Sequence, residues 1–268
     1  MSIRPDRTPT DLAGKQVFIT GASAGIGAAT ARAFAAAGSD LVLTARRAER
    51  LNALRKELGA QHGIEVEAIP LDVTDRAEIE ALAQERADLF ADTDILVNNA
   101  GLAKGVDLMP TADPTDWETM FETNVLGLLY VTRQVLPHMV ERHHGHIINL
   151  GSVAGRWVYK GGAVYAATKH AVRVLSEGLR MDIIGSGVRV SNIEPGLVET
   201  EFSIVRLGDA EKADRVYADT VPLLADDIAD TIVWCATRPA HVNIQELVIF
   251  PTDQPAVGQV HRHGQETR

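Results

Sequence analysis

The chain has little of what extracellular, membrane-spanning and nucleic-acid-binding proteins usually need. Its 268 residues include a single cysteine, which excludes an intramolecular disulfide and predicts a reducing, cytoplasmic setting. No apolar run approaches the length that spans a bilayer, and the polar start "MSIRPDRTPTDLAGKQ" predicts no export signal. The 26 basic residues face 36 acidic ones, for a formal net charge of -10. The chain would therefore repel phosphate backbones, and we expect no nucleic-acid partner.

Thiol and imidazole groups are also too sparse to indicate a nucleophile or a metal site. Cys235 lies in "DTIVWCATR" among apolar residues at helical spacing, and we interpret it as a buried packing thiol. Four histidines lie close together in the chain, without the acidic or cysteine partners that zinc sites show at regular spacing. We expect no metal there and interpret the segment as a solvated loop; the histidines are His138, His143, His144 and His146.

Short β-branched runs alternate with longer helical patterns along the chain. The strand-like runs are "QVFIT", "DLVLTA", "VEAIPLDV", "DILVNNAG", "GHIINLGS", "VRVSNIEPG" and "ELVIF", and the longest helical patterns cover 116–142 and 164–184. Continuous apolar strands separated by helices predict a parallel sheet covered on both faces. No linker or repeat divides the chain, so we predict one doubly wound α/β domain over residues 13–250, with an arm at 1–12 and a tail at 251–268. The tail has too few apolar residues to fold alone, and we expect it to pack on a neighbouring subunit.

A glycine-rich loop, "TGASAGIG", directly follows the first strand and leads into a helix. Gly21 allows a tight turn, while Gly25 and Gly27 allow close approach of a pyrophosphate to the free N–H groups of a helix N-terminus. The loop therefore predicts a dinucleotide site, against the alternative of an ordinary strand-to-helix turn. The loop residues expected to contact the cofactor are Gly21, Ser23, Ala24, Gly25, Ile26 and Gly27.

The end of the second strand indicates which nicotinamide cofactor is used. The strand "LVLTA" ends in Arg46 and Arg47, and no carboxylate follows until Glu49. Two guanidinium groups suit a ribose 2′-phosphate, so we predict NADP(H) rather than NAD(H). The alternative is that both arginines are simply solvated at a helix start.

Asp72 and Val73 end the third strand and belong to the predicted cofactor site. The Asp72 carboxylate could accept a hydrogen bond from the adenine amino group, or it could cap the helix that begins after Thr74. The sequence favours neither interpretation.

A candidate catalytic group follows the fifth strand. Tyr165 and Lys169 are four residues apart in a helical pattern, so their side chains share one face. A lysine ammonium lowers the pKa of a nearby phenol, as a general acid/base requires, although such a spacing also occurs in solvated helical pairs. Ser152 ends the strand "HIINLGS", where its hydroxyl can donate to a substrate carbonyl oxygen.

Taken together, these motifs resemble the short-chain dehydrogenase/reductase family. The resemblance covers "TGASAGIG", "NNAG" at 98–101, Asn124 in "ETNVLG", Ser152, "YAATK" and "PG" at 195–196, in order and spacing, over nearly the whole chain. It implies a single Rossmann-type domain with a seven-stranded parallel sheet and hydride transfer to and from a nicotinamide. The catalytic tetrad that it implies falls on Asn124, Ser152, Tyr165 and Lys169.

The resemblance also implies roles. Tyr165 would be the general acid/base, Ser152 would polarise the carbonyl, and Lys169 would bind the ribose and keep Tyr165 acidic. Asn124 would hold a water that relays protons, or would bond the backbone at a helix kink. "NNAG" would contact the cofactor or chiefly stabilise the sheet. A homotetramer or homodimer is expected, and the further cofactor-binding residues are Asn99, Ala100, Gly101, Pro195, Gly196, Val198 and Thr200.

Further segments resemble the NADP-dependent 3-hydroxy acid dehydrogenase branch of this family, which acts on serine, allo-threonine and related short 3-hydroxy acids. They are "VLPHMVERHHGHIINLGSVAG" at 135–155, "EPGLVETEFSIVRLGDAEKADRVY" at 194–217 and "PAHVNIQELVIFPTDQPAVGQVHR" at 239–262. Such a substrate needs a cation for its carboxylate, and the candidates are Arg206, Arg156 and Lys160. We expect Trp157 to form a pocket wall, whereas Tyr159 lacks a lysine one turn on and is assigned no chemistry. The alternatives are reduction of sulfoacetaldehyde or another small aldehyde or ketone, and a non-catalytic NADP sensor.

Overall fold

The computed structural model describes residues 5–264 and has a seven-stranded parallel sheet at its centre. The sheet order is β3-β2-β1-β4-β5-β6-β9, which confirms the predicted fold class. The strands of the sheet are β1 (Gln16–Thr20), β2 (Asp40–Ala45), β3 (Val66–Pro70), β4 (Ile95–Asn98), β5 (Gly145–Leu150), β6 (Val188–Pro195) and β9 (Glu246–Ile249). A separate parallel pair, β7 (Val198–Glu199) and β8 (Leu223–Leu224), was not predicted.

Helices cover both faces of the sheet because the five inner strands are buried on both sides. One buried cluster packs Phe34, Leu51 and Ile232 against one face, and another packs Phe90, Val135 and Met139 against the other. The helices are α1 (Gly25–Ala36), α2 (Ala48–His62), α3 (Arg76–Glu85), α4 (Ala87–Ala91), α5 (Pro114–Phe121), α6 (Leu128–Glu141), α7 (Ala163–Asp182), α8 (Phe202–Leu207), α9 (Ala210–Tyr217) and α10 (Ala225–Ala236).

The long helix predicted at 116–142 is interrupted. Residues Glu122–Gly127 form a π-helical segment between α5 and α6. Two contacts explain the widened turn: the Asn124 side chain bonds the backbone of Leu102, and a Cβ at Gly127 would lie 2.8 Å from Val73 Cγ2. Inserted π turns often mark functional sites.

The sheet places the candidate site at the point where the strand order reverses, between β1 and β4. In doubly wound sheets ligands bind outside the carboxyl ends of the strands at this switch point. The glycine loop follows β1, "NNAG" ends β4, and Ser152 follows β5. The fold therefore brings three motifs that are distant in sequence to one edge of the sheet.

Both ends of the described chain pack on their own subunit. Leu12 is buried, and the Thr10 hydroxyl donates to the Arg238 carbonyl at 2.8 Å. In the tail, the Asp253 carboxylate accepts from Val221 N at 2.7 Å and Gln254 Oε1 accepts from Leu197 N at 2.7 Å. The expectation that the tail packs on a neighbouring subunit stays a prediction, since these contacts lie within one chain. Between residues 5 and 264 no helix has the length and apolarity to cross a bilayer.

Candidate active site

The glycine loop has the geometry that a bound pyrophosphate requires. Gly21 has a φ of +65°, and a Cβ at Gly27 would lie 2.4 Å from the Gly21 carbonyl oxygen, so only glycine fits at either position. The helix α1 begins at Gly25 with no side chain capping its N-terminus. Its first N–H groups are thus free to bind phosphate oxygens.

"NNAG" supports this loop through its first residues. Asn99 Nδ2 donates to the carbonyls of Thr20 and Gly21 at 2.9 and 3.1 Å, and the Ala100 amide donates to Thr20 Oγ1 at 3.0 Å. The Asn98 amide is buried in the sheet, where it bonds the Asn149 side chain. The interpretation that "NNAG" chiefly stabilises the sheet therefore accounts for the contacts of these side chains.

Gly101 is the exposed member of the motif and faces the catalytic residues. A Cβ at this position would lie 3.2 Å from Asn124 Oδ1 and 3.5 Å from Lys169 Nζ. The backbone of Gly101 is thus the part of "NNAG" that a cofactor can approach closely.

The two arginines after β2 lie beside the glycine loop. Arg47 Nε donates to Ser23 Oγ at 3.1 Å, and the exposed Arg46 lies 3.9 Å from Asp72 Oδ2. This cationic pair next to a hydroxyl can receive a phosphate dianion. Glu201, which was not predicted, lies between the guanidinium groups of Arg47 and Arg50 at 2.8 and 2.7 Å. Both arginines lie more than 150 residues before it in the chain, so no local pattern could have revealed the contact.

Asp72 closes a local turn and does not cap the helix. Its Oδ1 accepts from the Thr74 amide and hydroxyl at 3.0 and 2.8 Å, whereas α3 is capped by Asp75, which accepts from Glu78 N at 2.9 Å. The capping alternative is thus corrected, and the adenine contact stays a prediction. Val73 is buried against the π-helical segment.

The structure brings Ser152, Tyr165 and Lys169 together at the end of β5. Ser152 begins a 3₁₀ turn at Val153–Gly155, and Lys169 Nζ donates to the Leu150 carbonyl at 2.7 Å. The Lys169 nitrogen lies 6.0 Å from the centre of the Tyr165 ring. A tyrosine hydroxyl, a serine hydroxyl and an ammonium therefore share one partly buried site.

The charge states in this site are governed mainly by burial. Burial raises the pKa of the Tyr165 phenol well above its usual value, an effect strengthened by Tyr159 and opposed by the Ser152 hydroxyl and the Arg206 charge. Burial lowers the pKa of Lys169 to about 8. The expected lowering of the Tyr165 pKa by Lys169 is not among these effects; Ser152 and Arg206 lower it instead.

Asn124 uses its whole side chain to hold the loop that follows β4. Its Oδ1 accepts from Leu102 N, and its Nδ2 donates to the Leu102 carbonyl, both at 2.8 Å. Nδ2 also bonds Thr168 Oγ1 at 3.0 Å, one residue before Lys169. The backbone-bonding interpretation accounts for these contacts, and the proton-relay water stays a prediction.

The segment after β6 closes the cofactor groove. Thr200 faces the glycine loop, since a Cβ at Gly25 would lie 3.3 Å from its methyl group. The Gly196 amide donates to the Ile249 carbonyl at 2.7 Å, and the Tyr217 hydroxyl donates to the Val198 carbonyl at 3.0 Å. Pro195 ends β6, so this segment runs directly from the sheet over the groove.

A cleft of about 200 Å³ opens beside Tyr165, and Arg206 reaches into it from α8. The volume is below that of pockets for drug-sized ligands, which suits a small substrate. Lys160 also lines the cleft, and Arg206 NH1 donates to the Tyr159 hydroxyl at 2.8 Å. Tyr159 therefore has a partner that the sequence analysis did not find, because Arg206 is remote in the chain.

Arg156 and Trp157 lie outside this cleft, which corrects their assignment to the substrate. The Arg156 guanidinium contacts the carboxylates of Glu194 and Glu246 behind the Ser152 turn. Trp157 is about half exposed and packs on Phe250, with ring centres 5.9 Å apart. Among the candidates, Arg206 and Lys160 are left to receive a substrate anion.

The cysteine and the histidines are not part of the site. Cys235 is fully buried, as predicted, and burial raises the pKa of its thiol to about 11. His146 is buried in β5 and bonds Ser191 Oγ at 2.9 Å, which corrects its placement in a solvated loop. Within residues 5–264 no three His, Cys, Asp or Glu side chains are grouped to hold a metal.

A phosphate-binding loop at the switch point, beside a tyrosine and lysine on one helix face, is the arrangement of a dinucleotide-dependent oxidoreductase with a Rossmann fold. The family model described as short chain dehydrogenase matches residues 15–208, and the chain belongs to this family.

Relatives extend the match over nearly the whole chain. The NADP-dependent 3-hydroxy acid dehydrogenase YdfG of Escherichia coli is 50% identical over 249 residues, covering 92% of this chain and 99% of the relative. The serine 3-dehydrogenase of Agrobacterium fabrum is 47% identical, with coverages of 92% and 98%. The solved structure of a closed form of serine dehydrogenase complexed with NADP+ superposes with a TM-score of 0.86 at 49% identity, covering 92% and 99%.

Proposed function

We propose that this protein is an NADP(H)-dependent dehydrogenase that interconverts a short 3-hydroxy acid and its carbonyl form. The observation that carries the proposal is the cleft in which Tyr165 and Arg206 lie together. An acid/base group beside a fixed cation selects a substrate whose hydroxyl and anionic group are a few bonds apart. Two relatives named as a 3-hydroxy acid dehydrogenase and a serine dehydrogenase support this substrate class.

The cofactor, when bound, supplies or accepts the hydride. The free N–H groups at the start of α1 would bind its pyrophosphate, and Arg46, Arg47 and Ser23 would receive the 2′-phosphate. Lys169 lies where it can donate to the ribose hydroxyls, and the Gly101 backbone leaves room beside it.

In the reduction direction Tyr165 gives its proton to the substrate oxygen. The raised pKa keeps the phenol protonated at neutral pH, so the acid is in the form that this step needs. Ser152 donates to the same oxygen and stabilises the charge that develops on it. The Lys169 ammonium is proposed to stabilise the phenolate until a proton returns to it, and Asn124 is proposed to hold the water that relays this proton.

Arg206 does not by itself distinguish a carboxylate from a sulfonate. Both groups carry a negative charge and at least two oxygens that can accept hydrogen bonds from a guanidinium. Reduction of sulfoacetaldehyde or a similar anionic aldehyde is therefore the second candidate activity. A non-catalytic sensor remains a third, weaker candidate, because it has no need for Tyr165 beside Ser152. The cytoplasmic location and the homotetramer or homodimer also stay predictions, the latter to be checked by light scattering.

The deciding experiment is a panel of short hydroxy acids, hydroxy sulfonates and neutral alcohols, assayed with NADP+ and NAD+ in parallel. We expect the highest kcat/KM for a 3-hydroxy acid with NADP+. Turnover restricted to neutral alcohols would contradict the anion site, and no turnover with NADP+ bound would favour the sensor.

A further inference from the structure

The turn that carries Ser152 is short and internally bonded. The Gly155 amide donates to the Ser152 carbonyl at 2.7 Å, and the Arg156 amide donates to the Val153 carbonyl at 3.0 Å. Only three residues therefore separate Ser152 from Arg156 in the chain, and two backbone hydrogen bonds brace the turn between them. A displacement of Arg156 is passed on to Ser152.

The Arg156 guanidinium is fixed by two carboxylates on different strands. Its Nε contacts Glu194, which is fully buried on β6, and its NH2 contacts Glu246 on β9. Glu194 also accepts from Asn192 Nδ2 at 2.7 Å, and Arg173 of α7 lies 3.8 Å from the second oxygen of Glu246. The cluster thus joins the turn to two strands and to the helix that carries Tyr165.

Packing against α7 also restricts the turn. A Cβ at Gly155 would lie 2.8 Å from the Lys169 carbonyl oxygen and 3.7 Å from Glu194 Oε1, so the turn already touches the backbone of α7 and the carboxylate of its anchor. The helix backbone prevents the turn from moving closer to α7, and the ion pairs of Arg156 restrict its other displacements. The separation between Ser152 and Tyr165 is therefore set by the turn and its anchor.

Stability alone does not account for this cluster. Buried ion pairs often add no more stability than apolar side chains of similar volume would, because desolvation offsets their attraction. Unlike an apolar contact, a hydrogen-bonded ion pair fixes the orientation of the anchored side chain as well as its distance from its partners. Orientation matters here because two hydroxyls, those of Ser152 and Tyr165, must contact the same substrate oxygen.

We propose that Arg156, held between Glu194 and Glu246, is a positioning residue that fixes the Ser152 hydroxyl against Tyr165 and the substrate oxygen. The inference rests on the proposed function, since it requires that Ser152 acts on the substrate. Loss of the anchor leaves the cofactor groove and Arg206 in place but weakens polarisation of the substrate oxygen. It therefore lowers kcat more than it raises KM.

A double-mutant cycle tests the proposal. Arg156→Ala, Ser152→Ala and the double variant are compared by single-turnover reduction with NADPH, together with NADPH binding by fluorescence. We expect Arg156→Ala to lower kcat by about 10- to 100-fold in the native background but by less than about 3-fold when Ser152 is already alanine. NADPH affinity and substrate KM change by less than about 3-fold. The same factor in both backgrounds would overturn the proposal.

Milder variants keep the test valid if Arg156→Ala does not fold. Arg156→Lys reaches one carboxylate at a time, and Glu246→Gln removes one charge at the sheet edge; both should show a smaller kcat loss with the same dependence on Ser152. Arg189→Lys is the matched control, because this buried guanidinium bonds backbone carbonyls at the end of α10 and in the loop that follows it. It should lower the melting temperature without any dependence on Ser152.

The outcomes also separate this inference from the proposed function. If Ser152→Ala keeps nearly full activity, the assigned role of Ser152 is wrong. If Ser152→Ala is inactive and the loss from the Arg156 variants is independent of it, only the positioning role is wrong.

Discussion

Arg206 NH1 lies 2.8 Å from the Tyr159 hydroxyl, and the guanidinium carbon stands 5.3 Å from the centre of the Tyr159 ring. The same side chain donates to the Gly105 carbonyl at 3.2 Å. Its NH2 also donates to the Gly161 carbonyl at 3.4 Å, so one residue of α8 contacts both loops that line the cleft. The proposed contact with a substrate anion would use the guanidinium donors that these bonds leave over.

The first prediction concerns this guanidinium. Arg206→Met should raise KM for a 3-hydroxy acid by about 10- to 100-fold, the loss expected for a charged hydrogen bond, and should leave kcat/KM for the corresponding methyl ester within about 3-fold. Steady-state kinetics on both substrates provides the measurement. Arg215→Met, on the exposed face of α9, is the matched control. An equal loss for acid and ester would contradict an anion-binding role.

Tyr165 provides the second prediction. Tyr165→Phe removes the only transferable proton of the side chain while keeping its ring, so kcat should fall by at least about 10³-fold. NADPH affinity, measured by fluorescence, should change by less than about 3-fold. Tyr130→Phe, on α6, serves as the control for loss of a hydroxyl. Retention of most of the rate in the Tyr165 variant would remove the proposed acid/base.

The third prediction is a difference between the two reaction directions with pH. Because burial raises the pKa of Tyr165, the phenol is protonated at neutral pH, as reduction requires, whereas oxidation requires its deprotonated form. The rate of alcohol oxidation should therefore rise about 10-fold per pH unit from pH 6 to 8, while carbonyl reduction stays nearly constant. Pre-steady-state rates of NADPH formation and loss test this. A flat oxidation profile would show that Tyr165 does not titrate in the rate-limiting step.

The sequence predicts correctly those features that depend on residues close to one another in the chain. The glycine loop, the parallel sheet implied by alternating elements and the Tyr165–Lys169 pair all follow from spacing within one or two elements. The loop after β1 has the predicted tight geometry because only glycine tolerates the close approach at Gly21 and Gly27, while its contact with a cofactor stays a prediction.

The errors concern side chains whose partners are far away in sequence. Arg156 and Arg206 are equivalent by local pattern, but one meets a buried glutamate on β6 while the other meets the Tyr159 hydroxyl. The break in the predicted long helix is similar, since Asn124 bonds a loop 22 residues earlier. The residues next to a charged side chain in the sequence do not show which distant strand or loop supplies its partner. The roles of these residues therefore depend on the tertiary fold.

The fourth prediction concerns cofactor selectivity. Arg47→Ala should raise KM for NADP+ by about 10- to 100-fold, because a guanidinium contact with a phosphate is lost, and should change KM for NAD+ by less than about 3-fold. Isothermal titration with 2′-AMP and 5′-AMP separates phosphate binding from turnover. Arg32→Ala, in an exposed pair with Glu57 on the other side of α1, is the matched control. Equal losses for both cofactors would place the 2′-phosphate elsewhere.

The last prediction concerns the free energy that burial of the Lys169 ammonium costs the folded protein. The folded pKa of Lys169 is about 8, below the ordinary value of 10.5. Below pH 8 the group is charged in both folded and unfolded states, so the burial penalty is present in full. Between about pH 8 and 10.5 the unfolded chain holds the proton that the folded protein has lost, so this group makes stability rise with pH.

Lys169→Met should therefore abolish turnover and, in the cofactor-free protein at pH 7, raise the free energy of unfolding by about 1 to 2 kcal/mol. The shift corresponds to about 3 kcal/mol, part of which is offset by the lost hydrogen bond to Leu150. Urea unfolding at pH 7 and 9.5 tests this, with Lys212→Met, an exposed lysine of α9, as control. The gain should shrink at the higher pH, because the native lysine is then largely neutral. A variant destabilised equally at both pH values would show that the lysine contributes through packing rather than through its charge.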